Sequence, residues 1–166
     1  MKGIQLIVSD DHAGLRAARR AVLGGVSWQR CQFHLQQNAL QYVSRKSMRK
    51  EVAEDIRMIF NAPDRATAEA YLTRVVTKYA DTASRLSAWM EENIPEGLTV
   101  FDFPRKWWLR LRTTNGLERV SQEIKRRTRV VRIFPNEASC LRLISAILME
   151  IGEEWETGRV YLSFDD

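Results

Sequence analysis

Apolar positions change period along this chain, and the changes mark its elements. Residues 4–10 (IQLIVSD) form a largely aliphatic run that ends at Asp10, with Asp11 directly after it. A short run of this kind predicts a buried strand of a mostly parallel sheet. Asp10 then sits at the strand's C-terminal end, where open α/β sheets place their ligands. Residues 13–23 (AGLRAARRAVL) switch to helical spacing, with Leu15, Ala18 and Val22 on the inner side and Arg16, Arg19 and Arg20 outside. Gly24-Gly25 stops that helix. Residues 26–33 (VSWQRCQF) predict a second strand, so the opening reads β-α-β with a short crossover.

From His34 the helical period takes over. Leu35, Ala39 and Val43, and later Val52, Ile56 and Ile59, recur at helical spacing with Lys and Arg between them. Asn61-Ala-Pro-Asp64 is a break that supplies an N-cap. Residues 65–79 place Ala68, Leu72, Val75, Val76 and Tyr79 on one face, and 82–93 add a helix carrying Leu86, Trp89 and Met90 before Pro95 and Gly97. Roughly 35–93 is therefore an all-helical block set into a chain that opens β-α-β. Residues 98–112 are a connector rich in aromatics and cations, and 113–135 (TTNGLERVSQEIKRRTRVVRIFP) read as a capped basic helix. After Pro135, Asn136 or Ser139 caps a last helix running to about Trp155, with Leu141, Ile144, Ile147, Leu148 and Ile151 as its core positions. The tail 156–166 looks poorly anchored.

Composition narrows the class. The chain has 166 residues, 45% of them hydrophobic, with few Gly and Pro, so a folded protein with a sizeable core is expected. No apolar run reaches the roughly 20 residues of a membrane span. Residues 1–12 lack a signal-peptide pattern, and two cysteines make no disulfide framework, which together suit a reducing cytoplasm. Charge adds more. The net charge is +5, yet between Arg105 and Arg132 ten Lys/Arg face only Glu118 and Glu123, a local +8 that leaves −3 for the rest. A basic stripe on a slightly acidic remainder suggests a polyanion-binding surface, against the plainer reading of a solvated helix face.

Several residues can carry chemistry. A carboxylate at the end of a buried strand is costly unless it lies in a crevice, is paired or binds a cation; for Asp10 or Asp11 the plain alternative is capping the helix that follows. Glu118 stands three residues after Asn115, the spacing of a capping box, and suits the first turn of a helix. Its own face continues as Gln122, Lys125 and Arg129, while Leu117, Val120, Ile124 and Thr128 form the opposite stripe, expected to face the sheet. Paired carboxylates suit Mg²⁺, which takes carboxylate, water and substrate phosphate oxygens, and two such ions about 3.5–4 Å apart serve phosphodiester chemistry. Cys31 and His34 have a C-x-x-H spacing, but a structural zinc site wants four ligands and only Cys140 and His12 remain. A buried Cys with a hydrogen-bonded His at a strand end is the plainer account. Trp107 and Trp108, among Arg105, Lys106, Arg110 and Arg112, can stack on bases or pack internally.

Three blocks together resemble one family: SDDHAGL at 9–15, WQRCQFH at 28–34, and TTNGLERVSQEIKRRTRVVRIFPN at 113–136. In that order, with a helical stretch between the last two, they are similar to the bacterial Mutator-type transposases, the DDE transposases of insertion sequences. The resemblance covers essentially the whole chain. It implies an α/β, RNase H-like fold with an all-helical insertion, dividing the chain into a catalytic core (1–34 and 98–166) and an insertion (35–97). It carries the family's second catalytic Asp to Asp10, its C-x-x-H motif to Cys31 and His34, its catalytic Glu to Glu118, and the basic residue seven positions on to Lys125. Asn115 and Arg119 match the signature around that glutamate, and with Arg126, Arg129 and Trp108 they complete the expected DNA-contacting set. The implied activity is metal-dependent cutting of element ends and strand transfer into target DNA, with Mg²⁺ or Mn²⁺ in a two-metal arrangement.

One departure shapes the expectation. The family's first Asp lies on an earlier strand, and the residues before Asp10 here (MKGIQLIVS) contain no acid. The chain thus reads as the C-terminal part of a transposase catalytic domain, inactive alone, with metal binding expected only alongside the missing Asp. A non-enzymatic DNA-binding or regulatory remnant is the competing class, and a structural zinc module a third. An unpartnered edge on strand 4–9 further predicts aggregation or a homo-oligomer.

Overall fold

The computed structural model describes residues 3–157, and the chain falls into two compact units, the first ending at Thr114 and the second starting at Asn115. In the first unit, β1 (Leu6–Ser9), α1 (Ala13–Leu23) and β2 (Ser27–Arg30) form the expected β-α-β, and the two strands pair in parallel with Leu6 opposite Ser27 and Ser9 opposite Arg30. Among the described residues no further strand joins this sheet. The other side of β2 is held instead by a stretch of 3₁₀ turns, 94–102. Gln29, wholly buried, donates to the carbonyls of Arg30 and Gly97 (2.8 Å each) and accepts from the Val100 N–H (2.7 Å). Every hydrogen bond of its carboxamide within reach is made, which a buried amide requires.

Helices fill the rest of the unit: α2 (Gln32–Ala39), α3 (Arg49–Phe60), α4 (Arg65–Tyr79), α5 (Ser84–Asn93) and the single turn α6 (Trp108–Leu111). Their inward positions are those the periodicity picks out. Leu35, Ala39, Val43, Val52, Ile56, Ile59, Ala68, Leu72, Val75, Tyr79, Leu86 and Met90 are all buried in one cluster. Asp64 caps α4, accepting from the Thr67 N–H at 2.7 Å, and that backbone hydrogen bond holds its carboxyl below its ordinary range. Asp55 of α3 accepts from both Lys78 and Tyr79 of α4 (2.6 Å each). Burial and that hydrogen bond push the Tyr79 phenol up to about 12. Gly97 is required by packing: a Cβ there would lie 2.5 Å from Leu35 Cδ1 and 3.1 Å from the Phe60 ring.

Three sequence expectations change in this unit. The second strand stops at Arg30, because Cys31 already stands at the N-cap of α2; Cys31 and His34 therefore open a helix rather than close a strand. The faces of α1 are reversed except at Arg20, which is exposed as expected. Leu15 and Val22 are 53% and 77% exposed, while the guanidinium groups of Arg16 and Arg19 lie over the Trp28 ring at 5.5 and 4.6 Å. Cation–π contact and ion pairing draw those arginines inward, an outcome that hydrophobic periodicity does not encode. Neither aspartate caps α1: that place belongs to His12, whose Nδ1 accepts from the Gly14 N–H at 3.2 Å.

The second unit is a helical hairpin of α7 (Asn115–Val131) and α8 (Glu137–Thr157). Asn136 caps α8, accepting from the Ser139 N–H at 2.9 Å. Of the core positions expected on α8 only Ile147 is fully buried; Leu141 and Leu148 are exposed. On α7, Val120 and Ile124 are half-buried but Leu117 is exposed. Within the hairpin each helix buries a narrower stripe than its sequence offers. The expected loose tail, apart from 156–157 at the end of α8, lies outside the described residues.

Ion pairs join the two helices. Arg127 reaches Glu150 through two hydrogen bonds (2.5 and 2.8 Å), and Glu123 accepts from Arg126 (2.7 and 2.8 Å) and Arg127 (2.7 Å). The hydrogen bonds from Arg126, then Arg127, bring the Glu123 carboxyl down to about 2. A carboxyl depressed by folding contributes stability above its unfolded value and loses it as pH falls through the folded one. Hydrogen-exchange protection of α7 and α8 should therefore decline between about pH 4.5 and pH 2, and Glu123→Gln should flatten that decline. An unchanged profile in the variant would remove Glu123 from the account.

Just past α7, Arg132 takes φ 61°, the left-handed region that favours glycine. Arg132→Gly should raise the local stability of the hairpin by about 1 kcal/mol, read as slower amide exchange across α7. Faster exchange would show that the arginine side chain matters more than the strain.

Candidate functional site

β1 delivers Asp10 at its C-terminal end, and the surroundings of this residue are closely built. Asp10 Oδ1 accepts from the Asp11 N–H at 2.7 Å, and the Ser9 hydroxyl donates to the Asp10 carbonyl at 2.9 Å. Ser9 Oγ in turn accepts from Trp28 Nε1 at 2.9 Å, which ties the strand end to β2. The neighbouring Asp11 is committed elsewhere. Its Oδ1 accepts from Arg16 Nε at 2.7 Å and its Oδ2 lies 3.2 Å from Arg30 Nη1. Arg30, only 3% exposed, also reaches Glu96 and Asn93 at 2.9 Å each, and Arg16 reaches Glu96 at 3.4 Å. Of the two aspartates, then, Asp11 belongs to a partly buried ion-pair network, and Asp10 Oδ2 makes no hydrogen bond or ion pair among the described residues. Arg30 and Glu96 were not singled out by sequence reasoning: an Arg inside a strand and a Glu inside a turn carry no periodic signal.

Cys31 is wholly buried, and Thr114 Oγ1 donates to its sulfur at 3.6 Å. His34 is half-buried one turn on, its ring edge-on to Phe33 at 5.4 Å. Among the described residues, no three His, Cys, Asp or Glu side chains gather closely enough to hold a metal ion. Trp108 is engaged in packing: it meets Phe101 edge-on at 4.7 Å and donates its N–H to the Phe103 carbonyl at 2.7 Å. Arg112 lies nearby, donating to Asn61 Oδ1 at 2.9 Å, and burial lowers its pKa.

In the second unit Glu118 occupies the first turn of α7 and is half-buried, whereas Arg119, Lys125, Arg126 and Arg129 are exposed. The helix includes Asn115 as its first residue, so Asn115 stands one place inside the position a capping box assigns to the cap. The cations differ in their commitments. Arg126 is held by Glu123, while Arg119, Lys125 and Arg129 form no ion pair among the described residues. Val120, Ile151 and Trp155 line a cavity of about 460 Å³ between α7 and α8, with Arg119 at its rim. Asp10 and Glu118 thus belong to separate units.

In class this is a mixed α/β protein with an acidic strand end, a helical block and a separate helix carrying unpaired cations. The chain belongs to the Mutator family of transposases, whose family model matches residues 1–158. It is 59% identical to the transposase for insertion sequence element IS406 of Burkholderia multivorans over 99% of its own length, and 43% identical to that for ISRM5 of Rhizobium meliloti over all of it. It is 34% identical, over 99% of the chain, to the transposase for IS256 in transposon Tn4001 of Staphylococcus aureus. The chain spans about two fifths of these relatives: 42%, 42% and 43% of their lengths. Among the described residues no helix is long and apolar enough to cross a membrane.

Proposed function

We propose that this chain contributes two carboxylates and the DNA-contacting helix of a DDE-type transposase site, built on an RNase H-like sheet with 35–97 as its helical insertion. The observation that carries the reading is the contrast at the end of β1: Asp11 is clamped by two arginines, while among the described residues one Asp10 carboxylate oxygen has no partner. Membership of a transposase family gives that free carboxylate its task. As a donor set, Asp10 and Glu118 offer the hard oxygens that Mg²⁺ or Mn²⁺ prefers, and the DDE reading asks for a third acid beside them. The bound ions would supply an activated attacking oxygen and a stabilised leaving oxygen at a phosphodiester.

The protein's own groups do the rest. The Asp11 N–H orients the Asp10 carboxylate, and the Arg16–Arg30–Glu96 network keeps that amide in place. Arg119, Lys125 and Arg129, unpaired on the solvent face of α7, meet phosphates of the element ends or target DNA, with Arg126 beside them on its tether to Glu123. Asn115 opens the helical turn that carries Glu118, and Trp108 holds α6 by packing.

A second reading rests on the basic stripe between Arg105 and Arg132 rather than on the carboxylates: acting alone, the chain binds DNA without cutting it. One exchange separates the two. Grafted into the Burkholderia multivorans relative in place of the matching stretch, this chain should support element excision, and Asp10→Ala should abolish it. Excision that survives that substitution would overturn the catalytic reading.

A further inference from the structure

Residues 45–50 read RKSMRK, four cations without an acid, at the turn that leads into α3. Over 35–97 the nine Lys/Arg equal the nine Asp/Glu in number, so gathering four cations here leaves five to face nine acids elsewhere. Those others are largely engaged. Arg65 pairs with Glu69 and Asp102, Lys78 with Glu51 and Asp55, and Arg74 lies 5.0 Å from the Tyr71 ring. Arg45, Lys46, Arg49 and Lys50 are all exposed. Among the described residues Arg45, Lys46 and Lys50 have no acidic partner, Arg49 donates to the Leu40 carbonyl at 3.0 Å, and the adjacent Glu51 is taken by Lys78 at 2.8 Å. Like charges this close repel, and at the start of a helix they also oppose its dipole. Folding stability does not explain the arrangement.

The ridge continues into a groove. A cavity of about 390 Å³ is lined by Tyr42, Ser44, Thr82, Ser84 and Arg85, with Asp81 as its one acid. Ser44 directly precedes Arg45, and Arg85 is a fifth exposed cation without an acidic partner among the described residues. Hydroxyls beside free Lys and Arg are the groups that grip phosphate oxygens. Tyr42, the one aromatic in the groove, is stacked on Trp89 at 5.5 Å and is not free to stack on bases, so the surface suits a duplex backbone rather than splayed single strands.

We propose that this ridge and groove form a second phosphate-backbone surface for duplex DNA, distinct from α7 and indifferent to sequence. The proposal rests on the reading of DNA as the partner. The test is fluorescence anisotropy of the 166-residue chain with labelled duplex DNA across a salt series, beside Arg45→Ala/Lys46→Ala/Lys50→Ala and Arg119→Ala/Lys125→Ala/Arg129→Ala variants checked for unchanged thermal melting. Each neutralised phosphate contributes about 0.9 to the salt slope. The ridge variant should therefore lose about 2 to 3 units of slope and about tenfold or more in affinity at low salt. If only the α7 variant weakens binding, the ridge proposal fails and the DNA reading stands. If the unsubstituted chain shows no salt-dependent duplex binding, both fail. A ridge variant that loses heparin but keeps duplex DNA would also overturn the proposal.

Discussion

In the Burkholderia multivorans chimera, Asp10→Ala and Glu118→Gln should each lower strand cleavage about a thousandfold or more, roughly 4 kcal/mol of transition-state stabilisation. The expectation follows from what each substitution removes. Asp10 keeps one oxygen outside its hydrogen bond to the Asp11 N–H, so alanine there takes away the proposed metal ligand without breaking an ion pair. Glu118→Gln preserves shape and the helix start while removing the charge a cation needs. Two comparisons give the loss its meaning. Glu123→Gln lies on the same helix and breaks pairs with Arg126 and Arg127; it should leave cutting intact while loosening the hairpin. Asp11→Asn should instead lower thermal stability, because it disturbs the Arg16–Arg30 network. Retained cleavage in either the Asp10 or the Glu118 variant would remove that residue from the reacting centre. An unsubstituted chimera that folds and binds element ends but never cuts would favour the non-cutting reading.

Much of this architecture is legible in the sequence, for reasons that also show where legibility ends. The helices α2 to α5 were marked by apolar spacing because each buries one face against the others, and Asp64 and Asn136 cap helices as their residue types suggest. The β-α-β opening was readable for the same reason, since a short aliphatic run followed by a helical one has few other solutions. What failed was the assumption that arginine points outward. Arg16, Arg19 and Arg30 turn toward Trp28, Asp11 and Glu96, and α1 then presents Leu15 and Val22 to solvent. Pairing partners 80 residues apart, such as Arg16 and Glu96, leave no local pattern. On α7 and α8 the apolar period is present, but within the hairpin it exceeds what the two helices bury against each other. At the candidate site, the motif blocks single out Asp10 and Glu118 as expectations, while the network that distinguishes Asp10 from Asp11 joins residues up to 80 positions apart and has no local signal.

Arg30 is where stability and the candidate site depend on the same side chain. It is 3% exposed and pairs with Asp11 and Glu96, whose side chains are 23% and 27% exposed, and its guanidinium also lies 5.9 Å from the Trp89 ring. Arg30→Met keeps much of the volume but leaves two half-covered carboxylates sharing Arg16, with one negative charge uncompensated. Removing one member of a buried pair costs about 3–5 kcal/mol, and the partial exposure of both acids places this case near 3 kcal/mol. The melting temperature should then fall by about 10 °C. Removing the stranded charges tests the cause. Adding Asp11→Asn and Glu96→Gln to Arg30→Met should recover part of the loss, because neutral amides do not repel. Such a rescued protein would still lack the clamp that fixes the Asp11 N–H against Asp10. In the chimera it should therefore melt closer to the parent yet cleave more slowly at saturating Mg²⁺. Melting within a degree of the parent for Arg30→Met alone would mean that solvent already screens the network. Full recovery of cleavage in the triple variant would mean that Asp10 does not depend on it.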